Sequence, residues 1–170
     1  MDLVGEGITP MEQIAQEIVD LLCMKGITLG TVESATGGLI ANLITDVPGS
    51  SDAFIGSVVS YSNNIKIKVV GVKAETIEKY GAVSHQVARQ IAAGGRKVLG
   101  VDICVADTGI AGPAGATPTK PVGLFYIGLS HADGTFSHKH IFNGDRIENK
   151  MSAALAALEW VRDWLEKVKS

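Results

Sequence analysis

A glycine-rich junction between a strand pattern and a helix pattern constrains this fold more than any other stretch. Residues 26–32 are rich in β-branched side chains, which favours a buried strand, and residues 39–44 carry apolar side chains at helical spacing. The backbone amides that begin a helix have no partner within it, so such a turn is suited to hold an anionic or oxyanionic group. Ser34 is the nucleophile-type side chain in this turn. In the structural alternative, Ser34 or Thr36 only caps the helix.

The rest of the chain alternates helix and strand patterns around this junction. Thr9 and Glu12 form a capping box for a helix up to Lys25, and a glycine-containing turn at residues 131–134 predicts a hairpin. The sequence predicts an α/β (α+β) fold, a single three-layer domain with a mixed sheet flanked by helices. We expect residues 1–8 to form a flexible tail and residues 9–168 to form the domain. The remaining predicted strands are residues 54–61, 101–106, 122–130 and 135–143, and the remaining predicted helices are residues 72–80, 84–99 and one beginning after Asp145.

Composition limits the partners of this chain. Its 170 residues suit one domain, and 46% hydrophobic against 19% charged residues indicates a well-filled globule. The net charge of −3 with scattered basic residues argues against a nucleic-acid partner. No signal peptide and no apolar run long enough to span a membrane is apparent, so we expect no membrane partner and a cytoplasmic location. Cys23 and Cys104 lie in apolar contexts and are interpreted as core thiols.

Two groups of ionisable residues have both a structural and a functional interpretation. His138 and His140 share one face of a predicted strand, but no third ligand is nearby, so we interpret them as surface residues and predict no metal. If Asn63 caps a short helix, Lys66 lies in its first turn, where the helix dipole disfavours positive charge. The alternative is a solvated lysine on a basic face with Lys68.

Hydroxyl, amide and glycine residues concentrate in three segments that each follow a predicted strand. These segments are residues 33–38, 61–66 and 108–123. Ligands of α/β sheets bind at the carboxyl ends of strands, so three such loops are expected to converge on one site.

A series of ordered motifs, present between residues 31 and 158, resembles the C-terminal domain family of the competence-damage-inducible protein CinA. The similarity is to its stand-alone members, which are nicotinamide-nucleotide amidases, rather than to members that carry an N-terminal domain resembling molybdopterin-binding proteins. The motifs are Glu-Ser-Ala-Thr-Gly-Gly at residues 33–38, Asp-Val-Pro-Gly-Ser-Ser at 46–51, Tyr-Ser-Asn at 61–63, Gly-Ala-Val-Ser at 81–84, Thr-Gly-Ile-Ala-Gly-Pro at 108–113, Lys-Pro-Val-Gly at 120–123 and Gly-Asp-Arg at 144–146.

The resemblance implies hydrolysis of nicotinamide mononucleotide to nicotinate mononucleotide and ammonia, in pyridine-nucleotide salvage, without cofactor or metal. By position, Ser34 would be the nucleophile, Lys66 its general base, and Tyr61 a residue that relays or orients the proton. A small-molecule nucleotide is thus the expected partner, and a homo-oligomer the expected assembly. The residues expected to contact the substrate are Thr36, Gly37 and Gly38, whose amides would form the oxyanion hole, together with Ser50, Thr108, Gly109, Gly112 and Arg146.

Two residues differ from the usual pattern of this family. Ala35 stands where members commonly have cysteine, so the expected activity depends on Ser34 as the nucleophile. Asp107 stands where a small or apolar residue is usual, and a carboxylate there would pair with Lys66 and keep it charged, or repel the substrate phosphate. These residues leave open an alternative function, a catalytically silent nucleotide-binding or regulatory protein.

Overall fold

A five-stranded mixed sheet forms the centre of the computed structural model, which describes residues 7–169. The strands are β1 (Leu29–Glu33), β2 (Phe54–Val59), β3 (Ile103–Gly109), β4 (Leu124–His131) and β5 (Gly134–Ile141). Their spatial order is β2-β1-β3-β4-β5. The first three strands are parallel, whereas β4 and β5 run antiparallel to their neighbours.

Helices cover both faces of this sheet. They are α1 (Pro10–Lys25), α2 (Leu39–Thr45), α3 (Asn63–Lys68), α4 (Ala74–Tyr80), α5 (His85–Leu99) and α6 (Arg146–Lys167). One apolar core lies between the sheet and α1, α2 and α6, and a second lies between the other face and α5. The predicted three-layer domain with a mixed sheet is therefore confirmed. The expected tail, residues 1–8, lies outside the described residues except for Gly7 and Ile8, which precede α1 and are exposed.

Several local predictions are confirmed and others are corrected. The capping box of Thr9 and Glu12 and the cap at Asp145 are both present. The strand predicted to end at residue 106 continues to Gly109, because residues 107–109 pair with β4. Cys23 is exposed and is not a core thiol, whereas Cys104 is buried as expected. The cap of α3 is Ser62 rather than Asn63.

The carboxyl ends of β1, β2 and β3 meet at one edge of the sheet, because these strands are parallel. The turn containing Ser34 follows β1, the segment beginning at Tyr61 follows β2, and the loop of residues 110–123 follows β3. The fold therefore brings the three polar segments together.

Candidate active site

A cavity of about 250 Å³ opens where the three segments meet. Ser34, Tyr61 and Lys66 line it, together with the loop from Thr108 to Gly115. The expected convergence of these loops on one site is thus observed. Ala82 and Val83, which precede α5, form part of the wall, and Arg146 contributes from the start of α6. Cavities that hold most of a small ligand usually measure ~300–1,000 Å³, so part of a nucleotide would extend beyond this one.

Lys66 is buried and directed at Ser34. Its side chain is 2% exposed, and Nζ lies within hydrogen-bond distance of Ser34 Oγ, at 2.9 Å. Nζ also donates to the backbone carbonyls of Ser60 at 2.7 Å and Tyr61 at 3.0 Å. The alternative of a solvated lysine on a basic face is therefore wrong for Lys66, although Lys68 is exposed.

Burial lowers the pKa of the Lys66 ammonium, while the negative charge of Asp107 opposes this shift. Loss of solvation disfavours the charged form of an amine. A neutral amine has two hydrogens and one lone pair, which match two carbonyl acceptors and the hydroxyl of Ser34. The surroundings of Lys66 therefore suit a general base that removes a proton from Ser34.

Tyr61 contributes to the site through its backbone as well as its ring. Its carbonyl accepts from Lys66, while its side chain is 64% exposed. The phenol Oη lies 3.5 Å from a guanidinium nitrogen of Arg146, which donates to it. The phenol thus pairs with Arg146, and the contact between Tyr61 and Lys66 runs through the main chain.

The first motif is held by Glu33, a fully buried carboxylate at the end of β1. One of its oxygens accepts from the amides of Gly38 at 3.1 Å and Ile40 at 2.8 Å, and the other accepts from Ala41 at 2.9 Å. Gly38, in the N-cap position of α2, makes no side-chain cap. Glu33, rather than Ser34 or Thr36, therefore satisfies the start of this helix.

The amides of Thr36, Gly37 and Gly38 do not form the expected oxyanion hole, because each already has an acceptor within the protein. Thr36 donates to Asp107 at 3.2 Å, Gly37 to the carbonyl of Ser34 at 3.2 Å, and Gly38 to Glu33. Thr36 is also buried, and none of the three lines the cavity.

Asp107 lies inside the protein beneath the Ser34 turn. It accepts from the amide of Ser34 at 3.0 Å and from the amide of Thr36, and one of its oxygens lies within hydrogen-bond distance of the Thr36 hydroxyl. Burial, with a smaller contribution from the nearby Glu33 carboxylate, raises the pKa of Asp107 to about 6, against the lowering effect of its contacts with Thr36 and Ser34. Asp107 makes no hydrogen bond to Lys66 among the contacts of residues 7–169, and its effect on that amine acts through its charge.

The other residues expected to contact substrate divide into two groups. Thr108, Gly109, Gly112 and Arg146 line the cavity. Thr108 donates its hydroxyl to the carbonyl of Ala82 at 2.8 Å, and Arg146 donates to that of Gly112 at 2.6 Å. Ser50 does not line the cavity: it precedes β2, whereas the site lies beyond the other end of that strand.

Residues that sequence patterns did not identify complete the site. Glu33 holds the first motif, and Ser60 supplies a carbonyl to Lys66 while its own buried hydroxyl has no partner among the described residues. The sequence feature that could have identified Glu33 is the position of a carboxylate directly after the strand predicted for residues 26–32. No signal marked Ser60, because a backbone carbonyl does not depend on the side chain.

Within residues 7–169, no group of three His, Cys, Asp or Glu side chains comes together in a way that could hold a metal. The histidines on β5 contact aromatic rings instead, with His138 stacked on Trp160 and His140 on Phe142. His85 is half-buried, and its Nδ1 lies 2.7 Å from Ser137 Oγ. None of the helices in the described part of the chain has the length and apolar character needed to cross a membrane.

The fold and the site together define an α/β protein with a buried serine–lysine pair at a cavity beyond the carboxyl ends of the parallel strands. Residues 11–165 match the CinA C-terminal domain family. A CinA-like protein of Dictyoglomus thermophilum is 47% identical over 161 residues, which is 94% of this chain and 38% of that protein. A CinA-like protein of Thermotoga neapolitana is 44% identical over 98% of this chain and 41% of its own length.

Solved structures give the same assignment. The competence/damage inducible protein CihA of Agrobacterium tumefaciens superposes with a TM-score of 0.90 at 35% identity, covering 98% of this chain and 100% of that one. The chain therefore belongs to the CinA C-terminal domain family. It spans about two-fifths of the length of the curated relatives it matches.

Proposed function

We propose that this protein hydrolyses the carboxamide of nicotinamide mononucleotide to nicotinate mononucleotide and ammonia. The observation that carries this proposal is the 2.9 Å contact between Lys66 Nζ and Ser34 Oγ in a cavity lined by both residues. Amide hydrolysis needs an activated nucleophile and a proton donor for the departing nitrogen. A neutral lysine supplies both functions in turn.

The reaction proceeds in two halves that use the same pair. Ser34 Oγ forms a bond to the amide carbon while Lys66 takes the hydroxyl proton. Lys66 then gives this proton to the amide nitrogen, the carbon–nitrogen bond breaks, and ammonia leaves an ester on Ser34. Water attacks this ester with Lys66 again as base, and the proton returns to Ser34 as nicotinate mononucleotide departs.

In this scheme the amide of Ala35 stabilises the tetrahedral oxyanion. It takes the place of the amides of residues 36–38, which already donate to acceptors within the protein. Ala35 follows the nucleophile and lines the cavity, and its amide donates to no acceptor among the described residues. The amide after the nucleophile is the usual donor in hydrolases built on a strand–turn–helix junction. A backbone amide is present whatever the side chain, so the alanine at this position is compatible with the chemistry.

Arg146 supports the choice of a phosphate-bearing substrate. It lines the cavity, is exposed, and contacts both the Gly112 carbonyl and the Tyr61 phenol. A guanidinium matches the oxygens of a phosphate, and the small cavity leaves such a group at its rim.

The first test is ammonia release from nicotinamide mononucleotide by the purified protein. We expect turnover by the wild type and a loss of about 10³-fold or more in Ser34→Ala. Ser51→Ala, which removes an exposed hydroxyl outside the cavity, is the matched control and should retain full activity. Full activity in Ser34→Ala would overturn the proposed nucleophile.

A second test concerns the substrate class. Arg146→Ala should raise KM for nicotinamide mononucleotide about tenfold or more, because a charge-assisted contact to phosphate contributes about 1.5–3 kcal/mol. The same variant should leave turnover of free nicotinamide unchanged, since that substrate lacks the phosphate. Equal losses on both substrates would contradict a phosphate contact at Arg146.

The alternative of a silent nucleotide-binding protein has one supporting observation, the position of Asp107, whose carboxylate form would favour the protonated form of Lys66. Calorimetric binding of the nucleotide by a folded protein without ammonia release would favour this alternative.

A further inference from the structure

A chain of three buried side chains links the first motif to β3. Thr36 Oγ1 lies 2.8 Å from Glu33 Oε1 and within hydrogen-bond distance of Asp107 Oδ1. All three side chains are essentially inaccessible to solvent. The hydroxyl of Thr36 therefore stands between two carboxyl groups.

Counting the hydrogens shared by Glu33, Thr36 and Asp107 shows that one of the two carboxyl groups must act as a donor if both contacts are hydrogen bonds. A threonine hydroxyl has a single hydrogen and donates only once, so its second carboxyl contact requires a hydrogen from that carboxyl. Glu33 Oε1 already accepts from the amides of Gly38 and Ile40, and Oε2 accepts from Ala41. Glu33 is therefore surrounded by donors, and Thr36 donates to it. The hydrogen between Thr36 and Asp107 then comes from Asp107.

We propose that Asp107 is a positioning residue that carries a proton in the active protein, donates it to the Thr36 hydroxyl, and in this neutral form leaves Lys66 free to act as an uncharged base. The inference rests on the serine–lysine chemistry of the proposed function. The same carboxyl group fixes the nucleophile turn, because it accepts from the amides of Ser34 and Thr36.

The charges around Asp107 agree with this assignment. Glu33 and Lys66 are the ionisable groups that act on it from β1 and α3, and its partner across β4 is the apolar Ile127. Burial and Glu33 disfavour a second carboxylate at this place, and the pKa of Asp107 is accordingly raised to about 6. A neutral Asp107 removes the charge that would hold Lys66 in its protonated form.

Infrared difference spectroscopy tests the proton directly and needs no substrate. The spectrum at pH 5 minus the spectrum at pH 8 should show, for the wild type, the band of a protonated carboxylic acid. This band should be absent from Asp107→Asn. It should be unchanged in the control Asp133→Asn, because the side chain of Asp133 is 81% exposed. In Thr36→Val the band should shift, because the acid loses its acceptor, which provides a second reading if Asp107→Asn does not fold. Identical spectra of wild type and Asp107→Asn down to pH 5, or an unshifted band in Thr36→Val, would overturn the assignment.

The functional consequence is tested by the rate at which a fluorophosphonate probe labels Ser34 as pH changes. The active form has a neutral Lys66 and a protonated Asp107, so the wild-type rate should be bell-shaped and fall about tenfold per pH unit beyond its alkaline limb. Ionisation of Asp107 causes the alkaline limb, so Asp107→Asn should lose it. Protonation of Lys66 causes the acidic limb, so this limb should remain in Asp107→Asn and should not move to lower pH. Asp133→Asn should match the wild type, and Ser34→Ala should remain unlabelled.

A purely structural role for Asp107 gives a different result. Asp107→Asn would then lower the labelling rate by the same factor at every pH and keep the bell shape, which would overturn the inference. Labelling does not use nicotinamide mononucleotide, so a wrong substrate assignment leaves the profile intact. A wild-type Ser34 that is not labelled at any pH would refute the proposed nucleophile, and the infrared result would still decide the protonation of Asp107.

Discussion

Lys66 combines nearly complete burial with polar partners that carry no formal charge. Its amine contacts one hydroxyl and two backbone carbonyls. The ammonium form therefore loses its hydration without gaining a directly bonded anion, and the pKa falls because of burial. This single residue couples the chemistry of the site to the stability of the fold.

Lys66→Met should strongly lower the proposed amidase activity and stabilise the protein at neutral pH. We expect activity to fall by about 10²- to 10⁴-fold, the usual contribution of a general base. The folded-state pKa is lower than that of the unfolded chain, so the unfolded state binds more protons between the two values, and wild-type stability rises with pH across this window. Below the window the cost of burying the amine is fully present, and methionine removes it.

Urea unfolding of both proteins from pH 6 to pH 10 measures this effect. The stability advantage of Lys66→Met should shrink as pH rises through the window, and Lys68→Met, on the exposed side of α3, should show no such trend. A Lys66→Met variant that is less stable than the wild type at pH 6 would contradict the argument.

At the scale of elements, the junction between β1 and α2 depends on Glu33. Seven residues make α2 short, and its first amides are satisfied by a carboxylate from the preceding strand instead of by a side chain in the N-cap position. This arrangement closes the turn around Ser34 and fixes the direction in which the helix leaves the sheet.

Glu33→Gln should destabilise the protein by about 1–3 kcal/mol, because the amide group of glutamine faces backbone donors that it cannot accept from. Thermal or urea unfolding gives the value. Glu12→Gln is the matched control, since Glu12 accepts from the backbone in the exposed capping box of α1. Its effect should be smaller, and equal losses in the two variants would argue against a special role for the buried carboxylate.

The site shows which features can be predicted from sequence and which cannot. Ser34 and Lys66 belong to segments that follow strands, and their convergence follows from the parallel arrangement of β1 and β2. The amides at residues 36–38 looked free because a pattern does not reveal which acceptor they contact. Ser50 was placed in the site because its motif resembles the family, yet a residue before β2 lies at the opposite end of that strand.

At the scale of the whole molecule, α5 packs against the sheet with no room for a side chain at Gly95. Gly95 faces Val32 on β1 and Cys104 on β3, and an added Cβ would lie 2.8 Å from the sulfur of Cys104 and closer still to Val32. Both contacts belong to the smaller core on this face. The distance between the helical layer and the sheet is thus set by the absence of a side chain.

Gly95→Ala should destabilise the protein by about 1–3 kcal/mol, although alanine favours helices by about 1 kcal/mol over glycine. The clash of the added methyl group outweighs the helix propensity of alanine, because β1 and β3 each pair with a neighbouring strand on both sides and cannot easily move away from α5. Lys97→Ala, at an exposed position of the same helix, should change stability by less than about 0.5 kcal/mol in urea unfolding. A stabilised Gly95→Ala would show that the layers can move apart.

The layered fold was predictable because strand and helix patterns alternate along the chain, and its mixed sheet follows from the hairpin between β4 and β5. The ends of the elements could not be predicted in the same way. Residues 107–109, for example, resemble a loop in composition and become a strand only by pairing with β4.

The two carbonyls that hold Lys66 have a consequence for how this site changes during evolution. They belong to the main chain at residues 60 and 61, so they persist through substitutions at either position that preserve the backbone path. Selection for the contact between the amine and the hydroxyl therefore acts on Lys66 and Ser34 themselves. The buried side chain of Ser60 has little room to change, but the exposed side chain at residue 61, which lines the cavity, can diverge without disturbing the contact between Lys66 and Ser34.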